Sequence, residues 1–283
     1  MEMKKTAIAL ATLLATSALS LNSAWAHTHP DHNAVQATAT LKAAVNSPLR
    51  SDKNKARDQY RNPEETLAFF GIKPDMSVVE ISPGGGWYTE ILAPYLKDQG
   101  TYYAAHFPKD AKHEYFVKNL KRFKDKLASN PAYANVQLTE FAATKDYAVA
   151  PAGTADAVLT FRNLHNWYMY DGTEGMAQAF KTFYTALKPG GILGVVDHEL
   201  PEDRDQEKSK KSGYIKKSWA IKYAEQAGFE LVADSEINAN PKDTANHPKG
   251  VWSLPPSHRD KNPELLKVGE SDRFTLKFKK PIK

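Results

Sequence analysis

Glu80 stands at the end of a short β-branched stretch, Ser77-Val-Val-Glu-Ile-Ser82, with Gly84, Gly85 and Gly86 following after three intervening residues. In an open α/β sheet, ligands bind beyond the carboxyl ends of strands, and glycines there let a ligand lie on bare backbone. A dinucleotide fingerprint would need Gly or Ala at position 89, where Thr89 stands, so a pyrophosphate cradle is disfavoured. An acid ahead of the glycines suits a ligand with a cationic head. Tight strand–helix turns also use glycine for steric reasons alone, and the loop by itself does not separate the two. A second group, Arg162-Asn163-Leu164-His165-Asn166-Trp167, follows the apolar run Ala155–Phe161. An unperturbed imidazole titrates near 6.5, so His165 is the candidate general base, with a loop histidine bonded to backbone as the plainer reading. Asp197-His198-Glu199 closes another apolar run and is placed to meet His165 across a cleft. His165, His198 and an acid are metal-ligand types, but their spacing demands no metal and none is assigned. Trp87, Tyr88, Asn166, Trp167 and His198 are the candidate substrate contacts. Trp87, Trp167 and Tyr168 suit an aromatic wall for a cationic or flat ligand, although core packing is the commoner fate of such residues.

The elements that must position these groups alternate along the chain. Asn62-Pro63-Glu64-Glu65 starts a helix, with an Asn cap, Pro in its first turn and acids at the positive end of the dipole. The strand at 77–82, the glycine loop and a helix through Trp87, Ile91, Leu92 and Leu96 follow. Thr101–His106 reads as a strand, and Phe116, Leu120, Phe123 and Leu127 give 111–128 a helical period. Val136–Phe141, Ala155–Phe161 and Ile192–Val196 read as strands, and Met176, Phe180, Phe183 and Leu187 as a helix. A helix near Tyr214–Ala227 precedes two closing strands, Phe229–Ile237 and Asp272–Phe278. Strands separated by helices predict a mostly parallel sheet covered on both faces, closed by an antiparallel pair.

The acid-x-x-x-Gly-x-Gly signature resembles the first motif of the class I S-adenosylmethionine (SAM)-dependent methyltransferases. Ala155-Asp-Ala-Val-Leu-Thr-Phe161 is similar to that family's fourth strand, Ala186-Leu-Lys-Pro-Gly-Gly-Ile-Leu193 to the turn before its fifth, and Gln226-Ala-Gly-Phe-Glu-Leu-Val232 to the entry of its sixth. The stretches Ser82–Leu96 and Phe161–Trp167 look like a little-characterised, often exported, bacterial subgroup. The resemblance implies a Rossmann-like, seven-stranded, mostly parallel sheet with an antiparallel C-terminal hairpin and helices on both faces. It implies SAM as cofactor, with Glu80, Pro83, Gly84, Gly85 and Gly86 along its methionine part and Arg162 and Asn163 lining the pocket. The carboxylate usual at the end of the second strand is replaced by His106, with Asp110 the nearest acid, so His106 is the candidate ribose contact.

The 283 residues carry Lys+Arg 38 against Asp+Glu 33, a formal net charge of +5 and no cysteine. Disulfide scaffolds, thiolate metal sites and cysteine nucleophiles are excluded. A mean hydropathy of −0.56 excludes a multi-span membrane protein. Lysines of mixed-sign surroundings do not form the basic aromatic platform of a nucleic-acid binder. Lys4-Lys5, an uncharged run to Leu21 and Ala24-Trp25-Ala26 predict a signal peptide over 1–26, and hence a periplasmic or secreted protein with no stable membrane insertion. A flexible leader over 27–58 and a methyltransferase-like domain over 59–283 complete the expected organisation. The new terminus, His27-Thr28-His29, has the donor pattern for square-planar Cu(II) or Ni(II), with a solvated leader the plainer reading. The expected function is methylation of a small-molecule acceptor. The alternative is a non-catalytic periplasmic small-molecule-binding protein on the same fold.

Overall fold

A computed structural model of the chain describes residues 40–282. The signal-peptide segment and the candidate copper or nickel terminus lie outside the described residues. Helix α1 spans Asp52–Lys55, α2 Asp58–Arg61 and α3 Pro63–Phe70, and they lead into strand β1, Ser77–Ile81. Then come α4 (Thr89–Leu96), β2 (Thr101–His106), α5 (Glu114–Ala128), β3 (Gln137–Glu140), β4 (Ala155–Phe161), α6 (Leu164–Ala186) and β5 (Leu187–Leu200). The chain closes with β6 (Ile215–Lys216), α7 (Lys217–Gln226), β7 (Glu230–Ser235), α8 (Pro263–Leu266) and β8 (Arg273–Lys279).

The strands form a sheet in the order β3-β2-β1-β4-β5-β8-β7, with the two-residue β6 beside β5. Pairings from β3 to β5 are parallel, whereas β8 runs antiparallel to both β5 and β7. The predicted fold class is therefore observed, with β6 as a short addition. Alternate residues of each strand feed opposite faces. Val79, Ile81 and Val158 enter one core with Phe180, Phe183 and Phe278, while Val78, Ala157 and Leu159 enter another with Leu67, Ile91 and Phe123. Helix α3 lies so close to β5 that a Cβ on Gly194 would stand 2.8 Å from both Leu159 Cδ2 and Phe70 Cδ2. That glycine sets the spacing of helix on sheet.

Two expectations need correction. The described part of the expected leader is folded: Leu41 and Val45 are buried in the core, and Arg50 makes a two-pronged ion pair with Asp58. Ser51 N–H and Asn54 C=O then reach Glu90 and the Trp87 indole, so this segment covers the start of α4. The stretch after β4 is no loop either. It is the first turn of a 23-residue helix, α6, broken only at Gly172, where φ is 67°.

Candidate active site

Strands β1 and β4 end side by side, and each is followed by a non-glycine residue with positive φ, Ser82 at 49° and Arg162 at 63°. Backbone conformations of that kind cost free energy and are held only where surrounding structure fixes them. Here Arg162 N–H donates to Val196 C=O at 2.7 Å, and Ser82 N–H to Ala105 C=O at 2.8 Å. The Asn163 amide donates to Ile81 C=O and Thr160 Oγ1, tying the two strand ends together. Its amide N–H groups are spent on that clamp.

The glycine loop is tight and partly covered. Gly84 and Gly86 have positive φ, and none of the described residues approaches within 4 Å of a Cβ built on Gly84 or Gly85. A Cβ on Gly86 would meet Lys126 Cδ at 3.0 Å and Phe123 Cε2 at 3.1 Å. Lys126 is held there by an ion pair with Glu90. Pro83 is buried beneath the turn. The Glu80 carboxyl is fully enclosed and accepts hydrogen bonds from the Tyr102 and Thr89 hydroxyls. Burial pushes its pKa up to about 7, against the lowering effect of those two hydroxyls and of Arg162.

An acid whose folded pKa lies above its unfolded value stabilises most below the unfolded pKa, and that contribution is lost as pH rises through the folded one. Glu80→Gln is therefore expected to be more stable than the parent by ~1–3 kcal/mol at pH 8, the difference fading by about pH 4.5. Urea titrations of both proteins at the two pH values measure this, and a destabilised Gln variant at pH 8 would contradict it.

His106 is fully buried at the end of β2. Its Nδ1 accepts from Phe107 N–H at 2.8 Å, so Nε2 carries the proton and donates to Gly84 C=O at 3.0 Å. Burial lowers its pKa, the Gly84 carbonyl partly opposing, and the ring stays neutral. Both ring nitrogens are thus committed to backbone, Nε2 to the glycine loop and Nδ1 to Phe107. The expected ribose contact is instead a brace.

His165 lies in the first turn of α6, where Asp197 of β5 caps the helix. Asp197 is fully buried; one carboxylate oxygen accepts from Leu164 N–H at 2.6 Å and His165 N–H at 3.4 Å. The other accepts from His198 N–H and from His165 Nδ1, each at 2.7 Å. A carboxylate at a helix N-terminus is favoured by the dipole. With Nδ1–H donated to Asp197, the lone pair of His165 sits on Nε2, free to take a proton. The His198 ring is 4.9 Å from that of His165, centroid to centroid, and its Nδ1 is hydrogen-bonded to Ser271 Oγ. Burial first, then His165, Arg273, Arg162 and Arg61, hold the His198 pKa well below its usual value.

His165, Asp197 and His198 bring ligand-type atoms within 4.8 Å of one another. Two observations argue for an orienting carboxylate here and against a cation. The carboxylate is saturated by four N–H donors, and three guanidinium groups act on His198.

The aromatic candidates divide. Trp167 packs in the core against Phe141 and Phe183 at 5.3 and 5.6 Å, and Tyr168 against Trp219, so neither forms a ligand wall. Asn166 stays half-buried on α6. Tyr88 stacks on Phe161 at 3.7 Å, between the β1 and β4 ends, and Trp87 donates its indole N–H to Asn54 C=O. The Trp87 ring lies between two guanidinium groups, Arg50 at 5.0 Å and Arg61 at 4.7 Å. Arg61 and Arg273, which face the same strand ends, were not singled out by sequence; the one local signal is the four-residue spacing of Arg57 and Arg61.

No family model matches the sequence, and neither does any curated protein sequence. Solved structures do match. A SAM-dependent methyltransferase from Aquifex aeolicus superposes with a TM-score of 0.53 at 17% identity, over 86% of this chain and 98% of that one. A Galdieria sulphuraria protein assigned as a sarcosine dimethylglycine methyltransferase gives 0.54 at 11% identity, over 78% and 88%. The cyclase SpnF gives 0.54 at 14% identity, over 88% and 94%. The fold is that of the class I methyltransferases. On this methyltransferase fold, the glycine loop and His165 occupy the carboxyl ends of neighbouring strands, where such folds bind ligands. The residues fit SAM at one end only. Gly84 and Gly85 offer open backbone to the amino-acid end, while the end of β2 presents no carboxylate and no uncommitted nitrogen to a ribose.

Proposed function

We propose that this chain is a SAM-dependent methyltransferase acting on a small-molecule acceptor. The observation that carries the reading is the pairing, at adjacent strand ends, of an open glycine loop with a histidine held by a buried carboxylate. SAM supplies, when bound, a methyl group on a sulfonium. The chain's own part is to hold the acceptor in line, keep water out and receive a proton at His165 Nε2, with Asp197 fixing the ring. Asp197 also stabilises the imidazolium formed when that proton arrives.

A second reading, a non-catalytic small-molecule-binding protein on this fold, is favoured by one specific arrangement. His106 fills the sugar side, the end of β2, with the protein's own ring. Calorimetric titration with SAM and with S-adenosylhomocysteine separates the two. Micromolar binding of either supports the enzyme; absence of heat with both supports the binder.

No helix among the described residues is long and apolar enough to cross a membrane. From the secretory pattern of residues 1–26 we infer export, and SAM, made inside the cell, would then have to reach the protein. Mass spectrometry of protein from the producing cell's envelope is expected to show a chain starting at His27; an intact Met1 terminus would contradict export.

A further inference from the structure

The carboxyl ends of β4 and β5 face a concentration of positive charge that methyl transfer from a sulfonium does not call for. Four guanidinium groups, those of Arg57, Arg61, Arg162 and Arg273, lie within electrostatic reach of one another. Among the described residues a single carboxylate, Glu270, is hydrogen-bonded to any of them: it accepts from Arg57 Nε, Arg61 Nε and Arg273 Nη2. The charges do not balance. Arg61 is 3% exposed, yet both its Nη atoms lack a hydrogen-bond partner among the described residues, as do Arg57 Nη2 and Arg273 Nε. The Arg162 side chain makes no hydrogen bond or ion pair among the described residues. Leaving buried donors and charges unpaired is costly, and folded proteins do so rarely.

The unpaired groups converge. Arg61, Arg162 and Arg273 line one small hollow together with Tyr88, Phe161, Val196 and Asn238. Its floor is the ends of β4 and β5, and His198 lies within the field of the same three arginines. The hollow measures only ≈ 10 Å³, room for about one water molecule. An oxyanion head would therefore enter by displacing Tyr88 or Arg162, the latter half-buried and held at positive φ. Guanidinium forks match the paired oxygens of carboxylate and phosphate, and several of them together exclude cations.

We propose that Arg61, Arg162 and Arg273 form a binding site for the carboxylate or phosphate group of a small-molecule ligand. Assigning that group to the methyl acceptor rests on the methyltransferase reading; the anion site itself does not. An anionic acceptor would complement the cationic sulfonium and lie on the side of the cleft where His198 and His165 stand. The same chemistry could be supplied by SAM's own carboxylate, and the experiment separates the two sources.

The test is calorimetric titration of the full chain with inorganic phosphate and with malonate, in a buffer free of other oxyanions, for the parent and for Arg162→Gln. Arg162 is chosen because it holds no partner whose loss would disturb the fold. The parent is expected to bind at least one probe at a single site, and the variant to bind it about tenfold or more weakly. Removing one of several mutually repelling charges is expected to raise the variant's thermal midpoint by about 2–4 °C, a readout that does not depend on the ligand. SAM is titrated into both proteins in parallel, with and without phosphate. Phosphate or malonate binding with no response to SAM leaves the anion site standing and removes the methyltransferase reading. SAM binding that is unaffected by phosphate and retained in Arg162→Gln supports a separate anionic acceptor. Competition between phosphate and SAM, with both weakened in the variant, would assign the arginines to SAM's carboxylate and overturn the acceptor site. No saturable binding of either probe by the parent, or equal binding by the variant, would overturn the proposal outright.

Discussion

Glu270→Gln is expected to lower stability by about 3–5 kcal/mol, a fall in thermal midpoint of roughly 6–20 °C for a domain of this size. Glutamine keeps the shape and one acceptor oxygen but removes the carboxylate shared by Arg57, Arg61 and Arg273. Four guanidinium groups then face one another without a counter-ion. The same residue sets an acid limb in the parent. Burial alone would raise the Glu270 pKa, but Arg273, Arg61 and Arg57 outweigh it and hold it at about 2. A carboxyl whose folded pKa lies below its unfolded value binds its proton more readily in the unfolded chain. Its contribution is therefore complete above about pH 4.5 and is lost as pH falls towards about 2. Differential scanning calorimetry between pH 3 and pH 8 measures both effects. The variant should melt early at neutral pH and lack the parent's loss on acidification, and inorganic phosphate should restore part of its midpoint by binding the folded state. A variant that melts with the parent at pH 7 would show that the arginines have no need of an anion.

Asp197→Asn is the second substitution with a large expected effect. Four N–H groups converge on a carboxylate with no exposure, and an amide offers them one oxygen and an NH₂ group that faces donors. A loss of about 2–4 kcal/mol is expected from the broken cap and the unsatisfied donors. Turnover should fall by about a hundredfold or more, because His165 loses the partner that fixes its tautomer and stabilises its protonated form. His165→Gln separates the two roles: it leaves the cap to Leu164 and His198 intact, so stability should hold while turnover falls. Thermal melts and methyl-transfer assays of the two variants side by side provide the check. Equal turnover in parent and Asp197→Asn would remove the dyad from the mechanism.

The order of strands and helices was legible because buried parallel strands leave apolar β-branched runs and helices leave a three-to-four-residue apolar period. Ala155–Phe161 as β4 and the period from Met176 through Phe180 to Phe183 on α6 are examples. Legibility failed where order comes from polar contacts between distant residues. The segment 40–61 has few apolar residues, and its placement depends on Ser51 with Glu90, Asn54 with Trp87 and Arg61 with Glu270, the last 209 positions apart. Nothing local in the chain announces such pairs. The meeting of His165 with Asp197 and His198 was foreseeable from topology, since β4 and β5 are neighbours and both groups follow the point where their pairing ends, at Phe161 and Val196. The fate of His106 was not, because whether a ring nitrogen faces a ligand or its own glycine loop is decided by a rotamer. Trp167 was misplaced for a different reason. Once α6 begins at Leu164, helical geometry turns Trp167 towards Phe183 and the core.

A crystal structure of the protein grown with S-adenosylhomocysteine and inorganic phosphate tests the central claim most directly. The account predicts a nucleoside thioether lying over the bare backbone of Gly84 and Gly85, with His106 displaced to admit its sugar, and a phosphate between Arg61, Arg162 and Arg273, with Tyr88 or Arg162 displaced to admit it. A map in which His106 still donates to Gly84, Tyr88 still stacks on Phe161 and only solvent meets the three arginines would contradict it.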